Sequence, residues 1–228
     1  ADVTMVSLSG AGGKTAAIGG TINTLIVNNT VRAHVRDHST LISGVNLDEW
    51  GADDSYAVEK IDGAADASDI DVEADSYADV VDVVGGLSGS QTAAVGATIA
   101  YLGLNTKVET LTNASYMLAG GQIDVKALSN DEVFLFTVAG SGAQTAAVAG
   151  NAAVVNVDNF TKAEARQVLR ADKAVNIVAS AKEDLTNVGL SASGAGTAAI
   201  AATGVVINLD YETYARIYDA ADVRSNEV

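Results

Sequence analysis

Four copies of a Thr-Ala-Ala-(Ile/Val) block punctuate the chain: GGKTAAIGG (12–20), SQTAAVGA (90–97), AQTAAVAG (143–150) and AGTAAIAA (195–202). Their threonines, Thr15, Thr92, Thr145 and Thr197, are 77, 53 and 52 residues apart. Self-similarity at a fixed period points to an array of stacked units, each burying its apolar face only against its neighbours. That constraint ranks above local propensity.

Aligning the copies on these threonines exposes further columns. Ten and twelve residues on stand Leu25/Val27, Leu102/Leu104, Val155/Val157 and Ile207/Leu209, the period-two alternation of a strand with one buried face. Thirteen residues on, every copy has Asn28, Asn105, Asp158 or Asp210, residue types that favour turns. Small or β-branched residues resume at Val31/Ala33/Val35 and their equivalents, interleaved with Arg32, His34, Lys162, Glu164 and Arg216. A second block, Ile70-Asp-Val72-Glu-Ala74, returns at 123–127 and 175–179, and Val3/Val6, Val80/Val83, Val133/Phe136 and Leu185/Val188 complete the unit.

Strands and Asx turns filling 52 residues predict two coils of about 26 residues per repeat in a right-handed parallel β-helix. The whole chain, 1–228, is then one solenoid with units near 1–69, 70–122, 123–174 and 175–228. The first interval is longer by about one such coil, so it holds either an extra coil or a long loop, with the insert at 41–66. At one inter-strand spacing per coil, roughly nine coils make a rod about 40 Å long. Residues 161–173 (TKAEARQVLRADK) favour a helix on propensity, but their counterpart TVRAHVRDH is β-like, and the repeat predicts strand.

Composition fits. The chain is 48% hydrophobic but only 5% aromatic, so the interior is built from Ala, Val, Ile and Leu. Proline is absent, as suits amides committed to ladders. A net charge of −16 disfavours nucleic acid and anionic membranes as partners. No cysteine is available for disulfides or thiolate metal sites, and no run of 18 apolar residues spans a bilayer. The array starts and stops mid-repeat without an amphipathic cap, which reads as a piece of something longer or as copies stacking end to end.

The Gly-rich approach, TAA(I/V)(G/A)(G/A), the alternating apolar run, the Asx position and then T-K-A or V-R-A resemble the repeats of large filamentous-haemagglutinin-like and leukotoxin-like bacterial surface adhesins. The likeness runs from Val3 to Ile217. It implies an exported β-helical rod, extracellular or on the bacterial outer surface, that meets a receptor or glycan on a host or neighbouring cell. It brings no catalytic residue with it.

Each chemical motif has a plainer reading beside it. GAGGKT (10–15) lacks the first glycine of a phosphate loop, since Leu8 stands there. His34 and His38 lie about 13 Å apart on one outward strand face, too far to share a metal. Thirteen carboxylates lie between Asp48 and Asp82, and among them Asp53, Asp54, Asp69 and Asp71 are weak Ca²⁺ candidates. No EF-hand or β-roll calcium spacing occurs there, and solvated surface is the plainer reading. No other cofactor is implied. Trp50 and Tyr56 sit in the segment that breaks the period, where solenoids often carry their contact surface. The sequence therefore predicts a non-catalytic adhesive or structural rod segment. The alternatives are a carbohydrate-binding or carbohydrate-cleaving β-helix that uses the acidic insert, or a self-assembling extracellular filament subunit.

Overall fold

The computed structural model describes residues 1–44, 69–114, 116–166, 168–218 and 221–225. Trp50, Asp53, Asp54, Tyr56 and most of the 41–66 insert lie outside them. Twelve strands run through the described residues. Four long ones form sheet 1: β1 (Asp2–Gly13), β4 (Ile70–Ser90), β7 (Ile123–Ala143) and β10 (Val175–Ala195). Four more form sheet 2: β2 (Ala16–Val35), β5 (Ala93–Thr112), β8 (Ala146–Ala165) and β11 (Ala198–Ile217). Sheet 3 is short: β3 (Thr40–Ser43), β6 (Tyr116–Ala119), β9 (Val168–Ala171) and β12 (Asp222–Ser225).

All pairing is parallel and in register, so Asp2 lies on Asp79, Ile70 on Ile123 and Ile123 on Val175. The arch threonines also stack, since Ala93, Ala146 and Ala198 donate their amides to the carbonyls of Thr15, Thr92 and Thr145. The architecture is consistent with a right-handed parallel β-helix. Residues 161–165 and 168–171 are strand, as the repeat predicts against helix propensity.

Coil size differs from the 26-residue expectation. One coil is the whole repeat, because residues of successive coils pair 52 to 54 positions apart, or 76 to 77 in the first interval. The reason is the Asx column. Asn28, Asn105, Asp158 and Asp210 are not turns but outward residues in the middle of continuous 20-residue strands, stacked on one another. There are thus four coils, and three steps of about 4.8 Å give a stack far shorter than 40 Å. Nor does an extra coil enter the first interval. β1, β2 and β3 pair directly with β4, β5 and β6, and the surplus falls between β3 and β4.

Each coil is a narrow wedge. Sheets 1 and 2 meet at the Thr-Ala-Ala arch and diverge towards the base that sheet 3 closes. Inward side chains follow that taper. Ala17, Ala94, Ala139 and Ala147 fill the arch. Val80, Val84, Leu102, Leu104, Val155 and Val157 fill the middle, and Ile123, Val125, Val108, Met117 and Leu169 fill the base. The apolar pairs found in sequence three residues apart, such as Val3 and Val6, split between inner and outer faces. Val6 is 60% exposed. A polar column, Thr21, Thr98, Asn151 and Thr203, crosses the core, and each member donates to a group of sheet 1. Thr98 donates to the Val138 carbonyl at 2.8 Å and Asn151 to Thr137 Oγ1 at 2.8 Å.

The taper makes Gly96 a necessity. A methyl there would overlap the Gly140 carbonyl oxygen and lie 3.0 Å from its carbon, both backbone atoms of the facing sheet. Gly96→Val is expected to cost about 3 kcal/mol, the upper end of overpacking. Gly142→Ala, whose added carbon meets nothing within 4 Å, should leave the fold unharmed. Equal melting temperatures for the two variants would contradict the taper.

Candidate functional site

With every second residue turned outward and coils in register, the outer faces are grids whose columns run across coils. The outer face of sheet 2 near the base carries the most organised chemistry. One column reads Arg32, Glu109, Lys162, Tyr214, and its neighbours contribute Lys107, Phe160, Glu164, Arg216, Arg166 and Tyr218. Glu109 is the hub. It meets Arg32 Nε at 2.6 Å and the Nζ atoms of Lys107 and Lys162 at 3.2 Å each. Burial pushes its carboxyl up, but hydrogen bonds from Lys107, Lys162 and Arg32 and the charge of Lys162 prevail and hold it below the ordinary range.

Glu164 is a second hub in the adjacent column, 3.7 Å from Lys162 Nζ and 3.6 Å from Arg166, and it accepts from the Tyr218 hydroxyl at 3.1 Å. The carboxylates lie low and the outer cations stand proud: the side chains of Glu109 and Glu164 are 9% and 4% exposed, against 51% for Arg32 and 41% for Lys107, with Lys162 between them at 19%. Rings fill the gaps. Lys107 Nζ lies 5.1 Å from the Phe160 centroid, Arg166 lies 4.0 Å from Tyr218, and Phe160 meets Tyr214 edge-on at 5.9 Å. The surface that solvent meets is cationic and held in place from beneath.

The outer face of sheet 1 has the opposite character. Asp2, Asp79, Glu132 and Asp184 form one in-register carboxylate column. A shallow open groove there is lined by Asp79, Glu132, Val133, Phe134, Asp184 and Thr186. All its carboxylates stand on a single column of a single sheet, without the opposed pair that glycoside hydrolysis uses.

Of the calcium candidates within the described residues, Asp69 accepts the Gln122 amide at 2.8 Å and Asp71 lies 3.6 Å from Lys126 Nζ. Among the described residues no three His, Asp or Glu gather to hold a metal. Lys14 is exposed on the arch, His34 points outward from β2, and His38 adopts a left-handed φ of 64° in the corner that follows. The neighbouring Asp37 is bonded by the Asn113 amide.

Inside the wedge lie the carboxyls of Asp82, Asp131 and Glu183. Asp82 accepts both its bonds from Asn23 Nδ2, at 2.7 and 2.9 Å, and burial raises its pKa while that bond opposes the rise. Asp131 and Glu183 are in-register neighbours on β7 and β10, and Asn159 donates to both. Burial raises both, with the charge of Asp131 adding to Glu183, which is pushed up to about 8. Burial therefore opposes ionisation of both carboxyls, and the charge of Asp131 opposes that of Glu183 further.

No protein-family model matches this chain, and neither a curated protein nor a solved structure is detectably similar to it.

The members of the cation–ring grid escaped the sequence reading for one reason. Their signal lies across the rows of the repeat, Arg32 to Glu109 to Lys162, and depends on a coil of 52 residues rather than 26.

Proposed function

We propose that this chain is a structural and adhesive segment of a secreted or surface-displayed bacterial adhesin, whose coils hold side-chain grids at fixed spacing for contact with a receptor or glycan on another cell. The observation that carries this reading is the in-register stacking of four like coils, which turns each outward position into a continuous column. Such a stack resists bending because each coil is tied to the next by ladders along nearly its whole length in all three sheets. The reading assigns no catalysis and places the protein outside the cell.

Beads coated with the purified chain are expected to be retained on cultured epithelial or bacterial cells in a saturable manner, with soluble chain competing. Retention no greater than that of beads coated with an unrelated protein of equal negative charge would sink the adhesive reading.

A further inference from the structure

The two broad outer faces are complementary to each other, and we propose that sheet 1 of one copy of this chain docks face to face on sheet 2 of a second copy, arch over arch and base over base. The proposal is independent of the adhesive reading. It rests on two features that share one geometry.

The first is apolar. Towards the arch both faces expose large hydrophobic columns. On sheet 2 these are Ile18 at 80%, Ile22 at 79%, Ile99 at 48% and Ile200 at 62% exposed, and on sheet 1 Leu8 at 70% and Leu87 at 58%. Contiguous exposed patches of this kind mark interaction surfaces. Because they are sheet faces rather than strand edges, a further coil on the stack would cover them only in part: on the inner coils Val95, Ile99 and Val148 remain 39%, 48% and 40% exposed.

The second is charge. Towards the base, sheet 1 turns outward Asp71, Glu73, Asp75, Asp79, Glu132 and Asp184, with Lys126 and Lys182 as the cations among them. Sheet 2 turns outward Arg32, Lys107, Lys162, Arg166 and Arg216 above sunken Glu109 and Glu164, with Asp158, Asp210 and Glu212 at the inner rim. Like faces would oppose acid to acid, which costs free energy, whereas unlike faces pair acid with base. The contact is therefore heterologous and repeats, giving side-by-side stacks that do not close.

Its size is adequate. Twenty residues by four strands make a face of about 1,200 Å², and a stable interface needs roughly 800 Å² per partner. Aligned sheets pack about 10 Å apart, close enough to bury these isoleucines.

The test is sedimentation velocity of the full chain over a concentration series. Wild-type chain should sediment faster as concentration rises. The double variant I22K/I99K should remain monomeric with an unchanged melting temperature, since both side chains are already exposed. E73K/D75K and R36E/R216E (Arg36 being the exposed residue that directly follows β2 on the same basic face) should each weaken association at least tenfold, and mixing the two should restore it, because reversed faces complement one another. A wild-type chain that stays monomeric at every concentration would overturn the proposal. So would association that ignores all these substitutions, which would point to pairing through open strand edges.

Discussion

Truncating Leu102 to alanine is expected to cost the fold about 2–5 kcal/mol, whereas Ile207→Ala should cost about 1 kcal/mol or less in dilute solution. The two residues occupy the same column, Leu25, Leu102, Val155 and Ile207. They differ only in place along the stack. Leu102 is fully buried between coils 1 and 3, while Ile207 on coil 4 is 45% exposed. In a globular core, equivalent apolar residues would share one environment. In a one-dimensional stack, burial comes from the coils on either side, and an inner coil lost also uncouples its neighbours. Urea midpoints with unchanged slopes would measure the contrast. Equal losses for the two variants would mean that the hydrophobic columns do not run across coils.

Raising the pH from 5 to 9 is expected to lower the melting temperature. Glu183 titrates at about 8 in the folded stack against a reference of 4.5, because burial and the charge of Asp131 both raise it. Between those values the folded state binds more protons than the unfolded chain, so this stabilisation is present at the acid end and is lost as pH rises through 8. Asp131 and Asp82 are raised by burial and act in the same direction. Glu109 has the opposite sign: its contribution is present above the ordinary glutamate range and fades as pH falls below it. That window lies further to the acid side. The groups facing Glu183 are Asp131 and Asn159, with Tyr211 near enough for its hydroxyl to be raised by both carboxylates. Since Glu183 is only half withdrawn from water, solvent screening reduces its share to an order of 1–2 kcal/mol. Glu183→Gln keeps the acceptor for Asn159 and removes the titration, so it should flatten the slope and raise stability at pH 8. A wild-type melting temperature that is constant or rises over this range would show that the pair holds no proton.

Much of the fold was legible because repeat columns average out local ambiguity. The inward positions Leu102, Val155, Ala163 and Ile123 follow from period-two alternation alone, and the strand at 161–165 follows from its β-like counterpart at 30–38. The Asx column misled for a physical reason. Asn and Asp favour turns in isolated chains, but Asn28, Asn105, Asp158 and Asp210 stand on an outer strand face, where their side chains meet solvent while the backbone stays in the ladder. With that turn removed, two 26-residue coils become one of twice the length, and a rod becomes a short, broad wedge. The grid around Glu109 was not visible because its members lie 53 or 77 residues apart and meet only once that coil length is known. Asp131 and Glu183 were hidden differently: both are charged residues at positions where the first repeats place Ala1 and Ala78, so the pattern predicts a small apolar side chain there.

Uninterrupted strands spanning the full width of each coil are the root of everything else, and a spin-label distance reads them directly. Labels at Asp71 and Gly89, both outward-facing on β4, are expected to lie about 60 Å apart, eighteen residues of extended chain. A distribution centred below about 35 Å would require the chain to turn within that stretch and would restore the smaller coil.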